Sequence, residues 1–208
     1  MILIGQYDSP FVRRVGIAMK HYGLSFKHRP WSSFGDADEI RRYNPLTRVP
    51  ALVLDDGETL VDSHMILDYL DSLMPEDKRL FPAREPERHR ALKIAAIAAG
   101  ISDKAVSLFY ELRLHDAPSD IWLARCGKQI ETGLAVLEAD RASRPGAYWF
   151  GEAFGHCDII VTTMLRHLNE CLPGQVNMTD FPALAAHAAK MEALAVFQEI
   201  QQVFIAPT

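Results

Sequence analysis

Cysteine is scarce in this chain of 208 residues: there are three, Cys126, Cys157 and Cys171, and none before Cys126. Their odd number and wide spacing exclude a disulfide framework and fit reduced thiols in a cytoplasmic setting. The empty N-terminal half also disfavours disulfide exchange through a protein thiol. Long apolar runs are missing, and none approaches the ~18 residues of a membrane span, so no membrane association is expected. The strand-like N-terminus lacks the basic start of a signal peptide. Basic clusters are missing as well. No Lys/Arg run exceeds two residues, and 22 basic against 27 acidic residues leave a formal charge of −5. That balance argues against nucleic acid as a partner. The eight His show no His-x-x-x-His spacing, so no metal is expected. Internal repeats and low-complexity tracts are absent.

What is present describes a folded chain. Hydrophobic residues make up 49%, too many for disorder, and the length allows one or two domains. The patterning changes once. Residues 1–74 read as strand 2–5, helix 10–22, strand 25–29, strand 51–54, strand 59–61 and helix 63–73, with a loop at 30–44 that has room for a short helix. Residues 75–87 carry Pro75, Pro82 and Pro86 and several charges, as a linker does. Residues 88–208 show helical periodicity only, with helices expected at 88–113, 120–140, 157–170, 182–191 and 194–203. In the second of these Leu123, Ile130, Leu134 and Leu137 share one face.

Three short stretches carry chemistry. Ser9-Pro10-Phe11 opens the first helix, with a favoured N-cap followed by a favoured first helical residue. The Ser9 hydroxyl is thereby placed over the positive end of a helix, where an anion such as a thiolate gains a donor and a dipole. In Arg48-Val49-Pro50 the proline holds Val49 extended, leaving its main chain open to an extended ligand. Asp62-Ser63 stands at another helix start, where unsatisfied N–H groups attract a carboxylate. Backbone pairing in the middle and a carboxylate clamp at one end suit a small zwitterionic peptide.

Ser-Pro-Phe-x-x-Arg-Val near the N-terminus, Asn44-Pro45 ahead of Val49-Pro50, and Asp62-Ser63 before a helix resemble the cytosolic glutathione transferases. The likeness covers nearly the whole chain and is nearest to the serine-type branches, plant tau-like and bacterial tau-like or zeta-like. It implies an α/β N-terminal thioredoxin-like domain (1–74), a linker (75–87) and an all-α C-terminal helical-bundle domain (88–208) that contributes the electrophile pocket. It implies conjugation of glutathione, a co-substrate, to a small hydrophobic electrophile, and a homodimer. By resemblance, Ser9 donates to the glutathione sulfur, Val49 pairs by backbone with the cysteinyl residue behind a cis Val49–Pro50 bond, and Asp62 and Ser63 hold the γ-glutamyl end. Arg48 stands where tau-like members usually carry Lys, which keeps the charge but changes the donor geometry. Phe11, Phe34, Phe109 and Tyr110 are the candidates for the second-substrate pocket.

Each feature also has a plainer reading. Ser9 can serve only as a helix cap, Pro50 as a strand-edge proline, and Asp62-Ser63 as a helix start. Tyr7 rivals Ser9 as sulfur donor, since other branches use a tyrosine at the end of the first strand. Arg13 and Arg14 read as solvated helix charges, Trp31 and the pocket aromatics as core, and Cys157 beside His156 as a buried structural thiol. Gly155-His156-Cys157-Asp158 stands where the family usually carries Ser or Thr three residues before Asp; Gly lacks a side-chain acceptor, but Asp158 can still reach back. The rival functions are a noncatalytic binding protein of the same fold and a glutathione-dependent isomerase or peroxidase.

Overall fold

The computed structural model describes residues 1–206, so the last two positions of the expected helical half lie outside the described residues. Strand β1 (Ile2–Ile4), helix α1 (Pro10–His21), strand β2 (Lys27–Arg29), helix α2 (Ala37–Arg41), strands β3 (Ala51–Val53) and β4 (Thr59–Val61), and helix α3 (Ser63–Ser72) follow in order. The strands form one sheet in the order β2-β1-β3-β4, parallel between β1 and β2 and antiparallel elsewhere. Register pairs Leu3 with Leu52 and Leu52 with Leu60. Alternation then sends these three to one face, packed on Val12 and Val15 of α1 and Ile66 and Leu70 of α3. Ile4, Ala51 and Val53 occupy the other face, under Ile40 of α2. This is a thioredoxin-like half, and α2 is the short helix for which the 30–44 loop had room.

A 3-10 turn (Glu76–Lys78) leads into helices α4 (Glu87–Leu114), α5 (Asp120–Ala142), α6 (His156–Cys171), α7 (Pro182–Glu192) and α8 (Ala195–Glu199), with a second 3-10 turn (Met178–Asp180) before α7. Ile130, Leu134 and Leu137 of α5 meet Ala98, Ile101 and Ala105 of α4 and Met164 and Leu168 of α6 in one core. Helix α6 is buried along most of its length and packs on α1 of the first half as well as on α4 and α7.

Two expectations change in the structure and a third holds. Arg13 and Arg14 are not solvated: they are 2% and 1% exposed, Arg13 against the ends of the helical half and Arg14 against the head of α3. Arg13 grips Glu192 with both Nη atoms at 2.5 and 2.7 Å and donates to the carbonyls of Ile200 and Phe197 at 2.8 and 3.0 Å. The expected helix 194–203 therefore shrinks to Ala195–Glu199. Two carbonyls needed to continue or close it already bind Arg13, and Ile200 leaves the helical region at φ −99°, ψ 76°. At the head of α6, Asp158 does reach back, accepting from the Gly155 N–H at 2.8 Å and from the Trp149 N–H at 2.9 Å. Glycine is there for space: its φ of −129° is ordinary, but a Cβ would lie 2.5 Å from the Leu80 carbonyl oxygen.

A second buried polar cluster joins the halves. Asp71 at the end of α3 accepts from Tyr22 just after α1 (2.5 Å), from the Phe81 N–H (3.0 Å) and from His156 of α6 (2.8 Å). Burial pushes the Asp71 carboxyl up, but the bonds and charge of His156, with the Tyr22 and Phe81 bonds, outweigh it and hold the group below its ordinary 3.8. A carboxyl depressed by folding stabilises the native state above its unfolded pKa, and that stability is lost as pH falls through the folded value. Asp71→Asn should cost about 2 kcal/mol at neutral pH and shrink the loss of stability below pH ~4. Urea titrations across pH check this; an unchanged acid limb would remove Asp71 as its source.

Candidate active site

A cleft of about 330 Å³ lies between the two halves. Ser9 and Phe11 reach it from the head of α1, Trp31 and Phe34 from the loop after β2, and Arg48 and Val49 from the loop before β3. Phe109 and Tyr110 of α4, His167 of α6 and Phe204 of the C-terminal segment close it from the helical side. All four aromatics expected in the second-substrate pocket line it, and so does Trp31. The pocket is shared: Phe11 and Phe34 belong to the first half, not to the helical one.

Ser9 has the geometry of an N-cap, with φ −70° and ψ 124°, yet its side chain makes no cap hydrogen bond. Its carbonyl starts the helix by accepting from Arg13 N–H at 2.9 Å, and its N–H donates to Gln6 O at 3.2 Å. The backbone alone thus sets the turn, and the hydroxyl, beside the positive end of α1, makes no hydrogen bond among the described residues. Tyr7 is placed elsewhere. Its ring stacks on His28 at 3.9 Å and presses on Gly16, where a Cβ would fall 2.7 Å from Cε1. Burial and Glu199 push its hydroxyl up to about 12.

The loop before β3 is shaped by buried Asn44, whose Nδ2 donates to Arg48 O at 2.9 Å while its Oδ1 accepts from Leu46 N–H at 3.0 Å. Thr47 takes a positive φ of 54°, and the Val49–Pro50 bond is cis. Pro50 is buried outside the cleft lining. Arg48 is exposed at the mouth, its Nη2 3.3 Å from Asp103 Oδ1 of α4, so the ion pair is weak and the guanidinium is available.

Asp62 and Ser63 lie outside that lining, at the head of α3. Asp62 holds a positive φ of 67° and accepts from His64 N–H at 2.8 Å. For a non-glycine residue this backbone is strained, a state that persists where the surroundings enforce it. Ser63 is buried, and its Oγ accepts from Arg14 Nη2. Since the oxygen is the acceptor in that bond, the Ser63 proton is free to donate elsewhere. Arg14 Nε and Nη1 have no partner among the described residues. Burial pushes the guanidinium down to about 10, with Asp62 and Asp103 pulling the other way. A buried positive charge behind a serine hydroxyl and a helix N-terminus makes the head of α3 attractive to a carboxylate.

Two contributors carried no signal in sequence. His167 and Phe204 reach the cleft through the path of α6 and the segment after α8, and neither sits in a motif. Cys157 is inert: it is buried, its Sγ donates to Ala91 O at 3.2 Å, and burial, then Asp158, raises the thiol well above its ordinary value. No cluster of three or more His, Cys, Asp or Glu able to hold a metal occurs among the described residues. Among the described residues no helix is long and apolar enough to cross a membrane.

A thioredoxin-like half docked on an all-helical half, with Ser9 at the head of α1 lining the cleft between them, defines a two-part protein with its cleft at the seam. Residues 3–78 match the glutathione S-transferase N-terminal domain and residues 120–190 the glutathione S-transferase C-terminal domain. The chain belongs to the glutathione S-transferase family. It is 34% identical over 139 residues to the uncharacterized GST-like protein YibF of Escherichia coli, covering 66% of this chain and 68% of that one. A glutathione S-transferase of Methylobacterium radiotolerans, solved in complex with glutathione sulfonate, superposes with a TM-score of 0.90 at 30% identity, covering 100% of this chain and 96% of the other. A glutathione transferase family member of Pseudomonas fluorescens with bound glutathione gives 0.82 at 31% identity, covering 96% and 98%.

The Arg14–Ser63 bond has a consequence for stability. Ser63→Ala would strip a buried guanidinium of a side-chain acceptor, at an expected cost of about 1.5–3 kcal/mol. Thermal melting without ligand measures it, and an unchanged Tm would show that Arg14 finds another partner.

Proposed function

We propose that this chain is a glutathione transferase in which Ser9 stabilises the glutathione thiolate for attack on a small hydrophobic electrophile. The observation that carries the reading is the Ser9 hydroxyl: it makes no cap hydrogen bond and lies in the wall of the cleft at the head of α1. Glutathione supplies the nucleophilic sulfur; the chain supplies its place and its charge state. A free thiol with a pKa near ~8.5 is only a few per cent ionised at pH 7. Lowering that value by about 2 units takes roughly 2.7 kcal/mol of preferential thiolate stabilisation. One charge-assisted bond from Ser9 and the dipole of α1 are of that order.

The remaining contacts follow from chemistry on both sides of the cleft. Val49 presents main-chain groups that make no backbone hydrogen bond among the described residues, as pairing with the cysteinyl unit requires. Arg48 at the mouth meets a terminal carboxylate. Asp62 and Ser63, backed by Arg14, take the amino and carboxylate groups of the γ-glutamyl end. Phe11, Phe34, Phe109 and Tyr110 hold the electrophile. In this reading residues 1–74 bind glutathione, 75–87 link, and 88–208 complete the pocket. The neighbours solved with glutathione or its sulfonate support the same occupant here. The retained hydroxyl favours a catalyst over a binding protein of the same fold. A cytoplasmic location accords with three free thiols and no disulfide.

Ser9→Ala should lower kcat roughly 10- to 100-fold, the scale of one hydrogen bond to a charged group. The glutathione KM should move far less, and the pH–rate profile should shift to higher pH. Steady-state kinetics with a generic aromatic electrophile decide it. Full activity in Ser9→Ala together with loss in Tyr7→Phe would transfer the role to Tyr7.

The reading includes a homodimer. Met65 on α3 and Leu92 on α4 are exposed on neighbouring helices, tied by an Arg88–Asp68 pair at 3.1 Å. A self-complementary patch there would close into a two-fold dimer burying at least ~1,200 Å². Light scattering at micromolar concentration should return the mass of two chains; a concentration-independent mass of one would overturn the dimer.

A further inference from the structure

We propose that His167, on the helical half, is a positioning residue for Ser9: it locks the peptide unit from which the serine hydroxyl projects. The inference rests on the role assigned to Ser9 above.

Helix α6 carries His167 across the seam to the loop before α1. The ring is 6% exposed, and its Nδ1 lies 3.0 Å from the carbonyl oxygen of Asp8. A carbonyl only accepts, so Nδ1 carries the proton and donates. Nε2 is buried without a partner among the described residues, which suits a lone pair and not a second, cationic N–H. The ring is therefore neutral, and burial pushes it down to about 4 against the pull of the Asp8 bond.

The Asp8 carbonyl and the Ser9 N–H belong to one planar peptide group. His167 holds that plane on the oxygen side; Gln6 O accepts from the Ser9 N–H at 3.2 Å on the other. With the plane pinned and α1 begun, the Ser9 hydroxyl has little freedom beyond its staggered rotamers. The same short segment is held twice more from the far end of the chain. Tyr7 N–H donates to Gln202 Oε1 at 3.2 Å, and Ile205 N–H donates to Asp8 Oδ2 at 3.0 Å. Phe204 packs edge-on against the His167 ring at a centroid distance of 5.6 Å. The first half thus contributes the hydroxyl and the second half contributes its aim. Because the imidazole is neutral throughout the range in which a thiol titrates, the lock does not loosen where catalysis needs it.

The test compares His167→Asn, whose Nδ2 can donate near the position of Nδ1, with His167→Phe, which fills the volume and donates nothing. Thermal melting confirms that each full-length variant folds. Two readouts are taken: the pKa of bound glutathione, from the ultraviolet absorbance of its thiolate, and kcat and KM with a generic electrophile. Asp8, Arg48 and Asp103, the charged residues that line the cleft, are unchanged in every variant. His167→Phe should raise the bound thiol pKa by about one unit and lower kcat about tenfold, the same free energy in two readouts. The glutathione KM should stay within about twofold, and His167→Asn should recover most of the loss. In a Ser9→Ala background, His167→Phe should add little, since the two act as one unit. A wild-type thiol pKa that is lowered and stays unchanged in His167→Phe overturns the positioning role while leaving the proposed function intact. Equal losses in the Asn and Phe variants, or undiminished losses on top of Ser9→Ala, overturn it as well. A wild-type protein that binds glutathione without lowering its thiol pKa overturns the Ser9 reading and this inference together.

Discussion

A guanidinium cannot shed its proton inside a protein and presents five donors with no acceptor of its own. Burying one commits everything around it. Arg13 is 2% exposed on the face of α1 that meets the helical half, and its donors take a carboxylate from the end of α7 and two carbonyls from α8 and the residue after it. Removing any of these partners would leave a desolvated charge, which costs more than the pair itself contributes. The C-terminal segment is therefore drawn down onto α1, and α8 ends where its carbonyls turn to Arg13. From that point residues 201–206 run toward the loop that precedes α1, which brings Gln202, Phe204 and Ile205 to the edge of the cleft.

The cleft itself shows a division of labour between backbone and side chain. At the head of α1 the turn is made by main-chain hydrogen bonds, and a residue type that ordinarily caps a helix leaves its hydroxyl unused for that purpose. At the head of α3 the cap is made by Asp62, and the serine that follows is tuned from behind by a buried arginine. Both helix starts thus keep a hydroxyl proton in reserve at the positive end of a dipole, where negative charge is stabilised. In each case the supporting group is buried, so it holds its orientation without competition from water.

Much of this was legible in local sequence. Ser9-Pro10, Val49-Pro50 and Asp62-Ser63 are short patterns whose meaning depends on neighbours within a few residues, and each appears at the helix or strand start that its residue types favour. The helical stripe of α5 was legible for the same reason. Arg13 and Arg14 were not. An arginine on an amphipathic helix reads as solvated unless one knows that a second face of the helix is covered, and the partners of Arg13 lie 179 to 187 positions away. Gly155 was legible as a departure from a pattern, yet its cause, the approach of the Leu80 carbonyl, is a contact between segments distant in the chain. Nor was it legible that packing sends the Tyr7 ring toward His28 and Gly16 while Ser9 lines the cleft.

The sequence by itself determined the two-part architecture, the order of nearly every element, the absence of a thiol in the first half, and the three stretches that start a helix or strand. These follow from periodicity, capping and turn preferences, which act over one or two turns of chain. Tertiary structure decided which hydroxyl faces the cleft, which aromatics from the two halves share a pocket, and where the last helix stops. It also placed His167 against the Asp8 carbonyl. Those outcomes depend on which polar groups lose water when the halves dock, and that loss is settled by surfaces that meet only in the folded chain.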